Sequence, residues 1–266
     1  MPETSDPVTA RWPLASPRTA DWLRELAGDG VTGFMPPPLP DAVWVLGAMY
    51  EHDRLPADVT YDAYHRARAA ESGAGREVVG GIDLTGVGTA TGGGLGRAEH
   101  PGPGWRRLRW AELAARTGDP LVPQGLLPSY RCFPSAKTDG SWPLRITPPT
   151  EGSLDRETWN RLTGILTEHS PQGPDTRCLA YYNPLMLRDA DFDHPHVRIG
   201  RLGDAAALYD NPEADFSPSN LWAEDRSWVL CTDYDLWATK VSGPAVLVET
   251  LLHDAEIEAV RLPWAP

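Results

Sequence analysis

The sequence predicts an α+β protein, with a mixed or antiparallel sheet and helices on one face in the C-terminal half, behind a helix-rich and loop-rich N-terminal half. Three observations lead there. Apolar or alternating runs of strand length recur at 144–147, 178–182 and 227–241. Between them, Trp159, Leu162, Ile165 and Leu166, and later Val246, Leu247, Thr250 and Leu251, repeat at helical spacing. The 27 prolines and 25 glycines impose long irregular connections.

In chain order, residues 1–18 are proline-rich and polar and read as a mobile segment. Residues 19–118 form a helical and mixed region. Thr19 or Asp21 caps a helix through Trp22, Leu23 and Leu26, which Gly28 and Gly30 end. Pro36, Pro37, Pro38 and Pro40 make a stiff connector. Asp41 opens an expected helix carrying Val43, Trp44, Leu46 and Tyr50, and a second is expected over 61–72. Val78, Val79, Ile82 and Leu84 read as a short strand before the glycine-rich loop 86–96. A helix is expected over 104–118, stopped by Gly118. Residues 119–142 serve as linker, and 143–266 as an α+β module.

In that module Leu144–Thr147 alternates as a strand, and Ser153 or Asp155 caps the helix that runs to His169. Cys178–Tyr182 is a strand, and Val197–Ile199 is read as a further one. Ser227–Tyr234 and Trp237–Val241 are two strands separated by Asp235 and Leu236. Pro244 begins a helix, and Glu258–Leu262 closes the chain as a strand.

With 24 Lys+Arg against 37 Asp+Glu, the net charge is −13. That surface repels phosphate and anionic lipid, so neither nucleic acid nor membrane is an expected partner, whereas a basic protein is. The largest basic patch is the short set Arg106, Arg107 and Arg109. Cys132, Cys178 and Cys231 are odd in number and form no CxxC, which argues against a disulfide framework or a structural zinc site. The acidic N-terminus is not a signal peptide, and no apolar run reaches spanning length. A reducing, cytoplasmic location is expected.

Glu151-Gly152-Ser153-Leu154, the Trp159–Leu166 helix, Ser217–Trp222, Asp225–Trp228, Thr232–Asp235 and Val241–Gly243 resemble a group of uncharacterised actinobacterial proteins across about the last 115 residues. The resemblance implies a shared module and carries no activity with it. Cys231 and Tyr234 stand where that group often has other residues.

Four constellations bear on chemistry. Gly86, Gly88 and Gly92–Gly96 follow a strand holding Asp83, but the spacing and following helix of a dinucleotide fingerprint are missing. The expected reading is a flexible loop, and no cofactor is expected. Asp189, Asp191, Asp193, His194 and His196 form an acidic, histidine-containing run. Of these Asp193, His194 and His196 are candidate metal ligands, since alternate residues of a strand face one way; Pro195 between the histidines weakens that strand. No Gly-x-Ser-x-Gly motif is present, and Cys178 and Cys231 fall in apolar strands, where thiols are inert. The densest polar-aromatic set is Trp222, Asp225, Arg226, Trp228, Asp233, Asp235, Trp237 and Lys240, read either as a core edge with shaped turns or as a binding surface. Asp233 and Asp235 at a hairpin tip are also candidates for an acid–base pair.

Two functions follow as expectations. One is a non-catalytic acidic interaction module, in concrete form an immunity-type protein that neutralises a basic toxin. The alternative is a small-molecule-metabolising enzyme with a pocket between the two halves, using the hairpin carboxylates or the Asp193–His196 run.

Overall fold

A computed structural model describes residues 7–27, 34–72, 78–79, 82–83, 88–189, 192 and 196–262. It is an α+β structure. In chain order the elements are α1 (Pro7–Arg11), α2 (Asp21–Ala27), β1 (Asp41–Leu46), β2 (Met49–His52), α3 (Tyr61–Ser72), β3 (Val78–Val79), β4 (Ile82–Asp83), β5 (Gly94–Leu95), β6 (Trp105–Leu108) and α4 (Trp110–Thr117). There follow β7 (Ile146–Thr147), β8 (Thr150–Glu151), α5 (Arg156–Glu168), β9 (Arg177–Tyr182), β10 (His196–Arg201), α6 (Ala206–Tyr209), β11 (Asn220–Ala223), β12 (Val229–Thr232), β13 (Ala238–Gly243), α7 (Ala245–His253) and β14 (Ala259–Val260). The chain divides into two compact units. The first comprises Met1–Gly47, Leu95–His100 and Thr150–Pro266, the second Ala48–Gly94 and Pro101–Pro149.

The first unit is built on a seven-stranded sheet of order β10-β9-β11-β12-β13-β1-β14, with antiparallel pairing throughout. One face carries Val43, Val45, Ala180, Tyr182, Leu221, Leu230 and Val241, packed with Trp159, Leu162, Ile165 and Leu166 of α5 and Leu247, Val248 and Leu251 of α7. Burial of these stripes away from water is the main driving force for the layering. The opposite face carries Leu179, Tyr181, Val197, Trp222 and Val229 against Ala20, Leu23, Trp22, Leu26, Phe34 and Leu39. Asp155 is the cap of α5, its Oδ1 accepting from Thr158 N at 3.0 Å and its Oδ2 from Thr158 Oγ1 at 2.6 Å. The alternative cap, Ser153, instead accepts from Ser217 N at 2.8 Å.

The helix expected from Asp41 is strand β1, followed by β2. The run Ala42-Val43-Trp44-Val45-Leu46 is apolar at every position, and all five side chains are buried. Such a run contains helical spacings by default, so its periodicity does not distinguish a helix from a strand buried on both faces. Recruited between β13 and β14, β1 joins the sheet made by the C-terminal strands.

In the second unit β6-β2-β7 form a three-stranded sheet. Helix α3 falls where expected. The helix expected over 104–118 is split: Trp105–Leu108 is strand β6, and only Trp110–Thr117 is helical. It ends at Gly118 with φ 77° and its N–H on the Ala114 carbonyl. Arg106 and Arg107 therefore lie on a strand, and Arg109 is the α4 N-cap. Glu51 of β2, 1 % exposed, accepts from three guanidiniums: Arg116 Nη1 at 2.7 Å, Arg145 Nε at 3.1 Å and Arg106. Arg106 also bonds Glu112 at 2.9 Å. Arg106 of the basic patch is thus spent on internal pairing.

Candidate functional site

The site is built around β12. Its four residues, Val229-Leu230-Cys231-Thr232, are buried on both faces. Before β12 comes a tight turn, in which Arg226 N donates to Ala223 O at 2.8 Å and Ala223 N to Trp228 O at 3.3 Å. Asp225 shapes it, its Oδ1 accepting from Ser227 N at 3.0 Å and Ser227 Oγ at 2.7 Å. Arg226 adopts φ 64° and lays its guanidinium 5.4 Å from the Trp22 ring centroid. After β12, residues 233–237 connect to β13, with Leu236 N on Asp233 O at 3.2 Å.

The polar-aromatic set is therefore not one surface. Its two turns lie at opposite ends of β12, about 13 Å apart at strand rise. The three tryptophans are all buried. Trp228 belongs to the α5/α7 core and donates from Nε1 to Ser170 Oγ at 2.9 Å. Trp222 lies on the other face, its ring 6.4 Å from that of Trp22. Lys240 is buried as well, donating to the Pro36 carbonyl at 2.6 Å. As anchors for an outside partner, Trp222, Trp228, Trp237 and Lys240 are withdrawn: on central strands and their connections, both faces of the sheet are covered. What reaches solvent is Asp225 and Arg226 at one end, and half-buried Asp233, exposed Tyr234 and exposed Asp235 at the other.

The second group gains a member that sequence reasoning missed. Gly152 has φ 78°, and a Cβ there would lie 3.0 Å from Tyr234 O and 2.8 Å from Phe216 Cε1. Its N–H donates to Leu236 O at 3.0 Å. Only glycine tolerates both the conformation and the approach, and this contact brings β8 beside the β12–β13 connection. Glu151, the residue before Gly152, is part-buried, and its carboxyl is raised above the ordinary glutamate range, first by burial and then by the negative charge of Asp235. The signal available in the sequence was Glu151-Gly152 itself, a glycine directly after an acidic residue, between the strand predicted at Leu144–Thr147 and the helix that follows.

The other candidates resolve differently. His196 begins β10, paired with Tyr182 of β9. Asp191, Asp193 and His194 lie outside the described residues. Among the described residues no group of three or more His, Cys, Asp or Glu side chains is placed to hold a metal ion. Gly86 and Val87 also lie outside the described residues. The described part of the glycine loop, from Gly88, leads into β5 rather than a helix, and Gly96 N donates to Glu151 O at 2.8 Å. Cys132, Cys178 and Cys231 are buried, and burial raises each thiol above its ordinary range, which disfavours the reactive thiolate. Among the described residues no helix is long and apolar enough to cross a membrane. Comparison with protein-family models, with curated proteins and with solved structures finds no match to this chain.

Proposed function

We propose that the chain is a non-catalytic, acidic interaction protein that presents the β12–β13 connection to a basic protein partner, in concrete form an immunity-type neutraliser that covers a basic toxin. The observation that carries this reading is the like-charge pair Glu151–Asp235 beside Tyr234, 40 % exposed. A part-buried carboxylate held against a second negative charge is electrostatically unfavourable in the isolated chain. A lysine or arginine brought by a partner offsets that cost, and an exposed tyrosine supplies apolar contact with little ordering entropy. The net charge of −13 supports the same reading, since it accelerates encounter with a cation.

The test is co-purification from the native host with the double variant Asp233→Lys/Asp235→Lys as control. A basic protein retained by the wild type at low salt, and lost both in the variant and at high salt, is the expected result. A chain that retains no partner, or retains it equally in the variant, removes this reading.

The same pair favours a second reading. Two carboxylates whose environments differ are the usual makings of an acid–base couple, which is the enzymatic alternative with Glu151 as the proton donor. Asp235→Asn separates the two. It weakens binding modestly in the first reading and abolishes turnover of the substrate in the second.

A further inference from the structure

A cleft of about 260 Å³ opens beside the hairpin that joins β11 to β12. Its apolar wall is Leu179 of β9 with the indoles of Trp22 and Trp222. Leu179 and Trp222 are buried, and Trp222 supports the half-buried Trp22 ring at 6.4 Å between centroids. Arg226 and Arg18, both exposed, stand on the rim. Arg226 comes from the hairpin and holds its guanidinium 5.4 Å from the Trp22 centroid. Arg18 lies in the turn Pro17–Ala20 that leads into α2. Among the described residues neither guanidinium makes a hydrogen bond or an ion pair. Three carboxylates also line the cleft. Asp21 is paired with Arg24 at 3.1 Å and Glu224 with Arg177 at 3.0 Å, cations that are not part of the cleft wall. Counting those pairs as neutral, two guanidiniums face one carboxylate, that of Glu25, in a chain whose net charge is −13.

The backbone makes an arginine at position 226 unexpected. Its φ of 64° suits glycine or asparagine, and Asp225 already shapes the turn, so the turn itself has no use for a long cationic side chain. A bulky residue kept at a disfavoured φ points to a use for its side chain. We infer that this cleft binds a small monocarboxylate bearing one aromatic ring, the carboxylate taken by Arg226 with Arg18 beside it and the ring laid against Trp22 and Leu179. A planar carboxylate matches the guanidinium fork. An aromatic ring gains more from an indole than its buried area alone provides. A cationic ligand is disfavoured, because Trp22 already carries the Arg226 guanidinium. The cleft is smaller than the roughly 300–1,000 Å³ that drug-sized ligands occupy, so it admits one ring with a short acid arm and excludes a nucleotide. It lies at the end of β12 away from the β12–β13 connection, so this site is independent of the partner proposed there.

The experiment is an NMR titration of the full-length protein with phenylacetate at low salt, following the indole N–H of Trp22, assigned through Trp22→Phe. A saturable shift is expected, with a dissociation constant on the order of 1 mM or tighter. Cyclohexylacetate, which keeps the acid and loses the aromatic ring, is expected to bind several-fold more weakly. Phenethylamine, which keeps the ring and reverses the charge, is expected to leave the Trp22 signal in place. Arg226→Gly is expected to lower the affinity for phenylacetate about tenfold or more while the melting temperature holds, because glycine suits the left-handed backbone. Arg18→Gln is expected to weaken binding by a smaller factor. Absence of a saturable shift at Trp22 up to about 10 mM phenylacetate, equal affinity in Arg226→Gly, or equal binding of cyclohexylacetate or phenethylamine each overturn the inference. If Arg226→Gly does not fold, Arg226→Asn, which also tolerates positive φ, takes its place with the same expected loss.

Discussion

Arg116 Nη1 donates to Glu51 Oε1 at 2.7 Å, tying the last turn of α4 to β2 through a carboxylate that is itself almost wholly buried. Burial works against the ionised form of Glu51, but hydrogen bonds from Arg116 and Arg145 outweigh it and hold the carboxyl down at about 2, against an ordinary 4.5. The folded value lies below the unfolded one, so the stabilisation is fully present above pH 4.5 and is lost as pH falls through 2. Glu51→Gln is expected to cost roughly 1–3 kcal/mol at pH 7, because three guanidiniums lose their common acceptor while remaining partly hydrated. Urea unfolding monitored at pH 7 and pH 3 checks both statements; an equal loss at the two pH values contradicts the second.

Trp228 is a core residue and not a partner's anchor. Trp228→Phe removes buried volume and the bond to Ser170 Oγ, and is expected to cost about 1–3 kcal/mol by analogy with other large-to-small core changes. Binding of a partner at the β12–β13 connection is expected to be unchanged when measured well below the melting temperature. Strong loss of binding with unaltered stability would return Trp228 to the contact surface.

Asp235→Asn takes away one of the two influences that raise Glu151, leaving burial. The midpoint of Glu151, followed by carboxyl-carbon NMR, is expected to move down towards the ordinary value without reaching it. A midpoint that does not move shows that the two carboxylates do not feel each other.

Asp155→Ala removes the cap of α5 and also the carboxylate that accepts from the buried Thr158 hydroxyl. The expected loss is about 1–3 kcal/mol, combining a helix cap with a lost buried hydrogen bond. Asp155→Asn, which keeps an acceptor, is expected to recover much of it in the same thermal melt.

Gly152→Ala forces a side chain into a left-handed backbone and against Phe216 and Tyr234. It is expected to destabilise by at least about 1 kcal/mol. In addition it should lower the Glu151 midpoint by prising β8 from the connection. Destabilisation with an unchanged midpoint would separate the close approach from the carboxylate pair.

The sequence by itself determined those elements in which local chemistry and tertiary demand agree. The stripe of α5, the stop of α4 at Gly118, the extent of α3 and the strand at Cys178–Tyr182 were all legible, and the cap of α5 was narrowed to Ser153 or Asp155, because each is specified by residues close to one another along the chain. The tertiary structure decided the rest. Whether Ala42–Leu46 becomes helix or strand depends on β13 and β14, which lie some two hundred residues away and pair with its two edges. Trp222, Trp228 and Trp237 were visible as a cluster, but that all three are buried is set by which layers cover the sheet. Glu151 meets Asp235, and Lys240 meets Pro36, only once distant segments are laid side by side. Charge and burial act through space, so pairs separated by some eighty and two hundred positions leave no pattern in the sequence to read.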